Sequence, residues 1–271
     1  MNIRIVLNYL IKRLRLPSAL LTSQYALMLE YRAEIVLWAI SGILPLFMLG
    51  IWKEADMSLA LGLSNEWLTR YFVSAFIVRQ FTAVWVMTSF EEDNLDGRLS
   101  PLLLQPLFPF WRYYFSHIAE QVSRLPIVIL IIGFLVIALP GFAWLPSLST
   151  LIFFLLALFL SFTVRFLLHW LFAMICFWTD KASALERLLL IPYLFLSGLV
   201  APLEAFPPSI SSFALYTPFP YILSFPANIL AGSKVHLIEG FLALFLWGLL
   251  FLILGYFLWK KGVRFYSGMG A

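Results

Sequence analysis

The chain has 271 residues, 62% of them hydrophobic, 18% aromatic and only 12% charged, with a formal net charge of +4. Soluble domains are about 45–50% apolar and about 25% charged, so this composition excludes a soluble enzyme and describes a chain solvated by lipid. The length fits roughly six spans of about 20 residues with short connections, a single transmembrane domain over 1–271 with no room for a separate catalytic one.

The basic residues stand beside apolar segments, the pattern of topology signals and anionic-lipid contacts rather than of nucleic-acid binding. Cys176 is alone and lies in an apolar run, so neither a disulfide framework nor a thiolate metal site is expected.

In chain order, residues 1–32 place Arg4, Asn8, Lys12 and Arg15 on one helical face and Ile3, Val6, Leu10 and Leu14 on another, with Pro17 breaking the run. This predicts a basic amphipathic helix in the membrane interface, although a poorly packed tail also fits. No cleaved signal peptide is expected. Apolar runs predict spans over 34–52, 67–90, 125–143, 151–178, 188–203 and 237–259, the fourth long enough to tilt or protrude. Residues 204–234 carry Pro207, Pro208, Pro218, Pro220 and Pro226, a density that excludes one continuous spanning helix and predicts short re-entrant helices.

Orientation follows from charge. With the N-terminus inside, cytoplasmic segments hold Arg4, Lys12, Arg13, Arg15, Arg32, Arg98, Arg112, Arg124, Lys181, Arg187, Lys260, Lys261 and Arg264, against Lys53 and Lys234 outside and Arg70 at a span edge. Both termini are thereby expected in the cytoplasm and the proline-rich segment outside.

Residues 91–124 form the long polar interruption. Glu91, Glu92, Asp93 and Asp96 come directly after a membrane-length apolar run, Gly97 permits a turn, and Pro101 opens a short helix ahead of Leu104 and Pro106. A stiff charged elbow gripped by another protein and an ordinary solvated loop both fit these residues. The following Trp111-Arg112-Tyr113-Tyr114 suits a headgroup boundary.

No phosphate-binding Gly-x-x-x-x-Gly-Lys-Ser/Thr loop, His-Glu-x-x-His or Gly-x-Ser-x-Gly occurs, and His117, His169 and His236 are scattered. No catalytic, metal or cofactor site is therefore expected in the chain. Two alternatives stay open: an ion-coupled secondary transporter, and a membrane enzyme using the Glu91–Asp96 cluster on a lipid-linked phosphate. The first ordinarily has buried carboxylates and inverted repeats, which the spans lack.

Arg79 and Arg165 fall inside apolar runs, where a guanidinium costs at least about 2.5–3.5 kcal/mol and must face protein or water. Gln80 adjoins the first and His169 lies one helical turn after the second. They read either as a polar lining for an anionic substrate or headgroup, or as a snorkelling Arg165 and an Arg79 bonded to a neighbouring helix.

Two stretches resemble the export-type membrane subunit of ABC transporters, the ABC-2 type permease family. Glu91-Glu92 through Gly97-Arg98-Leu99-Ser100-Pro101-Leu102-Leu103-Leu104-Gln105-Pro106-Leu107 is similar to that family's coupling helix. Leu196-Ser197-Gly198 through Pro202 and Pro207 to Thr217-Pro218-Phe219-Pro220 is similar to its Ser-Gly…Pro…Asn-Pro pattern, with Thr217 where Asn is frequent. The chain looks like a divergent bacterial branch, formerly of unknown function.

The resemblance implies an all-α integral membrane fold with six transmembrane helices and a place in the bacterial inner membrane. It implies a second permease, identical or homologous, and a cytoplasmic ABC ATPase dimer that carries the ATP and Mg. ATPase docking would fall to Glu91, Glu92, Asp93, Asp96, Gly97, Arg98, Pro101, Leu104 and Pro106. Arg79, Gln80, Arg165 and His169 would line the translocation path, and Gly198, Pro202, Pro207, Pro218 and Pro220 would form an outer gate.

Overall fold

The computed structural model describes residues 17–28, 30, 32–54, 62–138, 144–179 and 181–266, and among them every regular element is a helix. Residues 1–16, with the basic face expected of the interface helix, lie outside the described residues; 17–28 are helical (α1). There follow α2 (Arg32–Ser41), α3 (Leu44–Glu54), α4 (Asn65–Thr82), α5 (Val86–Leu95), α6 (Leu99–Leu103) and α7 (Pro109–Ala138). The second half holds α8 (Leu148–Ala173), α9 (Ala184–Leu196), α10 (Pro208–Leu215), α11 (Phe219–Ile222), α12 (Ser224–Ala231) and α13 (Leu237–Phe265).

Five stretches are long and apolar enough to cross a membrane: Glu34–Glu54, Asn65–Leu95, Pro109–Ala138, Leu148–Phe177 and Leu237–Phe265. The expected fifth of six spans differs. Its helix, α9, has 13 residues, and about 1.5 Å per residue makes it far shorter than a hydrocarbon core of about 30 Å. It stops at Ser197, where Gly198 turns the chain with φ +88°.

Burial sorts the helices. Residues 71–76 of α4 are buried without interruption, which requires every face of that helix to be covered. The neighbours that cover it include α3, α8 and α12, while α8 packs in turn on α5, α12 and α13. On the outside, α7 and α13 present Leu130, Phe134, Ile137, Phe245 and Tyr256. Such exposed apolar faces are stable against lipid tails.

The proline-rich segment is not a loose loop. Three tryptophans from different parts of the chain donate their indole N–H groups to it or to the residues just before it: Trp52 to the Val200 carbonyl (3.0 Å), Trp67 to Ser233 Oγ (2.9 Å) and Trp144 to the Leu230 carbonyl (3.0 Å). A buried indole seeks an acceptor, so each anchor joins apolar packing to one directed bond. Tyr71 adds a fourth, donating to the Gly198 carbonyl at 2.8 Å. All eight residues of α12 are buried against α4 and α8.

At the other end of the bundle the elbow rests on an aromatic cluster. Phe90 meets Tyr113, Trp170 and Phe177 edge-on at centroid distances of 5.3–5.8 Å. Gly262 of α13 leaves the room that the Phe177 ring fills.

Candidate functional site

The elbow begins where α5 ends. Gly97 takes φ +71°, a left-handed conformation that side-chain-bearing residues adopt only at a cost, and so reverses the chain from α5 into α6. Asp93 is buried and its two oxygens accept from Arg98 Nε and Tyr113 Oη, each at 2.7 Å. Arg98 also pairs with Asp96 at 2.5 Å. Hydrogen bonding to Asp93, with its charge and that of Asp96 and Glu92, raises Arg98 above its ordinary value and keeps it cationic. Ser100 Oγ bonds Tyr266 Oη at 2.8 Å, tying α6 to the end of α13.

The expected docking residues divide by direction. Glu91 faces α9, where it accepts from the Ser183 backbone N–H at 2.6 Å and from Ser183 Oγ at 2.9 Å. Asp93 is used inside the turn, and Leu99 and Leu102 are buried beneath it. Glu92, Asp96, Arg98, Pro101 and Pro106 are exposed, as is Leu104 at 88%, and Gly97 is half-buried between them. The nearly bare Leu104 gives the outer face of the elbow a prominent apolar knob beside Gln105 and Pro106.

The charged residues of the spans meet in two adjoining cavities. One, of about 370 Å³, lies among α5, α8, α9 and α11 and is lined by Thr88, Arg165, His169, Glu186, Tyr193 and Ile222 among others. The second, of about 330 Å³, is lined by Arg79, Gln80, Trp85, Arg124 and, again, Arg165 and Glu186. The structure thus brings together Arg79, Gln80, Arg165 and His169, which come from two helices far apart in sequence.

Their environments differ. The Arg165 guanidinium lies over the Tyr193 ring at 4.1 Å, a cation–π contact that occupies its face. Gln80 donates to the Ala39 carbonyl at 2.7 Å, and Gly42 on that strand of chain leaves no side chain in its way. His169 is 6% exposed and its Nδ1 has no hydrogen-bond partner. The Glu186 carboxyl accepts from Thr88 Oγ1 at 3.4 Å, and burial raises it above its ordinary value against the opposing Arg165 charge.

Several residues around this site were silent in the sequence. Ala83–Trp85 break the second span into α4 and α5 with neither proline nor glycine to announce it. The freed Trp85 N–H donates to His117 Nε2 at 3.1 Å. Arg124 stacks over the Trp85 ring at 5.5 Å and pairs with Glu120 at 2.8 Å, both side chains almost wholly buried. The i,i+4 spacing of Glu120 and Arg124 was the available signal for that pair. Glu186 and Tyr193 gave none.

Of the expected gate residues, Gly198 carries the turn after α9 and Pro202 precedes a short 3₁₀ turn at Leu203–Ala205. Pro207 caps α10, and Pro218 and Pro220 bracket the start of α11, whose Phe219 and Ile222 close one side of the first cavity. Among the described residues no group of three His, Cys, Asp or Glu side chains could hold a metal ion.

Helices of spanning length, lipid-exposed apolar faces and a charged interior cavity define a multi-pass membrane protein. Residues 46–270 match the model of the ABC-2 family transporter proteins, and the chain belongs to that family. No curated protein matches it individually.

Proposed function

We propose that the chain is the membrane-spanning permease subunit of an ATP-binding cassette exporter in the bacterial inner membrane. It moves an amphipathic or lipid-like substrate using ATP and Mg bound on a separate cytoplasmic ATPase dimer, and it works beside a second permease, identical or homologous. Both termini and the elbow face the cytoplasm, and α10 to α12 form re-entrant helices on the outer side. The family supports this reading, and so does the charge asymmetry of the sequence.

The observation that carries it is the elbow. Its turn is fixed from inside by Asp93, Arg98 and Tyr113, and its outer face offers Glu92, Asp96, Pro101 and the bare Leu104. A lever must be stiff within itself and leave its contact face free, and this one is both. Arg79, Gln80, Arg165 and His169 line the path, and Gly198, Pro202, Pro207, Pro218 and Pro220 shape the gate above it.

The test is co-purification of the tagged chain in mild detergent, scored for a bound ATPase subunit. A Glu92→Lys/Leu104→Asp variant is expected to stay folded and lose the ATPase. A wild-type chain that purifies alone under several gentle conditions, or a variant that retains the ATPase, would overturn the docking assignment.

A further inference from the structure

The charge balance inside the two adjoining cavities is uneven. Arg79 and Arg165 come from different spans yet line the same cavity, with Arg165 against the face of the Tyr193 ring. Arg124 already has Glu120 at 2.8 Å. That leaves one carboxylate, Glu186, beside Arg79 and Arg165, with the exposed Arg187 adding a third guanidinium to the lining of the first cavity. Two like charges brought together away from bulk water are costly, and an uncompensated one is retained where a counter-charge arrives from elsewhere.

Hydrogen bonding gives a second, independent sign. Arg165 Nε and Nη1 and His169 Nδ1 are buried without hydrogen-bond partners, and Arg165 and His169 line the same cavity. Because the Tyr193 ring holds the Arg165 guanidinium by its face, the N–H groups at its edge stay free to donate. Imidazole supplies a further donor one helical turn along α8. Fixed donors round a roomy polar space are what an oxyanion requires.

We propose, resting on the permease reading, that the two adjoining cavities bind a single oxyanion of the phosphate-ester type at Arg165, which both share, with Arg79 contributed from one cavity and His169 as a donor from the other. The anion neutralises the surplus charge, and the apolar Leu168, Leu189, Leu190 and Ile222 around it suit the hydrophobic part of the same molecule. The ligand class is therefore an amphipathic phosphate ester. The phosphate group belongs either to a membrane lipid or to a soluble ester.

Two arms distinguish these sources. In the first, the full chain in nanodiscs of phosphatidylcholine is titrated with inorganic phosphate and with glycerol 3-phosphate by calorimetry, at ionic strength matched with chloride. In the second, nanodiscs doped with phosphatidylglycerol are scored for retained anionic lipid by native mass spectrometry. Saturable binding in the first arm identifies a soluble ester, and retention of one lipid in the second alone identifies a headgroup.

In whichever arm binds, Arg165→Gln and Arg79→Gln should each weaken binding ~tenfold or more, as removal of one charge-assisted donor from a buried site does. Arg112→Gln, at the exposed end of α7, should change nothing. Leu190→Trp, at a partly exposed apolar position on the same cavity, narrows it and leaves the arginines in place, and should also abolish binding. It keeps the test decisive if an arginine variant fails to fold.

No saturable binding in either arm, or binding indifferent to Arg165→Gln and Leu190→Trp, overturns the proposal. ATPase co-purification is scored on the same preparations. An ATPase that still binds while the anion does not would refute the ligand class and leave the permease reading standing.

Discussion

Gly198 is the position where substitution should be most informative. Its φ of +88° lies in the left-handed region, and a Cβ there would collide with the Tyr71 hydroxyl and crowd Ser224. Gly198→Ala therefore meets two costs. The backbone strain is about 1–2 kcal/mol. Displacing a fully buried tyrosine from its 2.8 Å bond to the Gly198 carbonyl leaves both groups unpaired, at about 1–3 kcal/mol. The sum is about 2–5 kcal/mol. Gly97→Ala isolates the first cost, because Gly97 has φ +71° but a Cβ there meets nothing within 4 Å. It should lose only about 1–2 kcal/mol.

Unfolding in mixed micelles titrated with SDS measures both. Tyr71→Phe completes a double-mutant cycle, since removing the hydroxyl removes what the new methyl strikes. The Gly198→Ala/Tyr71→Phe double variant should therefore be more stable than the sum of the singles by about 1 kcal/mol or more. Equal losses for Gly97→Ala and Gly198→Ala, or strict additivity in the cycle, would refute the packing account of this turn.

Three further outcomes are expected. Glu91→Ala should lower stability by about 2 kcal/mol through loss of both bonds to Ser183, while Glu92→Ala stays within about 0.5 kcal/mol of wild type; a common value for the two, read in the same SDS titration, would contradict the inward placement of Glu91. His117→Ala should cost about 1–3 kcal/mol by orphaning the Trp85 N–H, and should raise hydrogen exchange at that amide, where unchanged protection would show a different partner. Burial raises the Glu186 carboxyl, so the folded chain holds that proton more tightly than the unfolded one. Its contribution is then fullest at low pH and is lost as pH climbs from about 4.3 through the raised value. Glu186→Gln should flatten that decline in apparent Tm, and an identical pH profile would count against it.

How much was legible in the sequence depended on whether the signal was local. The apolar runs marked four spans nearly where helices stand, and Gly97 and Pro101 marked the turn and short helix of the elbow because their backbone restrictions are intrinsic. The proline density over 204–234 correctly excluded one long helix. The run at 188–203, apolar enough to read as the fifth span, gives way at Gly198, whose carbonyl is claimed by Tyr71, 127 residues earlier. The break at Ala83–Trp85 is likewise held by His117 from another helix, so nothing at residues 83–85 could disclose it. Composition also could not show which acidic side chains of the elbow face inward. Glu91 and Asp93 have the same chemistry as Glu92 and Asp96, and only the positions of Ser183 and Tyr113 separate them.

The same contacts join the elbow to the charged cavity. On α5, Thr88 and Glu91 are three residues apart and share a face. They meet Glu186 and Ser183, which are also three apart at the start of α9, so the two bonds form successive rungs between these helices. Glu186 in turn lines both cavities beside Arg165. Because the chain leaves helical geometry between Thr82 and Val86, α5 is a separate short helix and not a continuation of the largely buried α4. The elbow is thereby joined along α5 and across the rungs to the first turn of α9, where Glu186 sits. One helix of ten residues therefore separates the exposed face of the elbow from the charged cavity, about 15 Å at about 1.5 Å per residue.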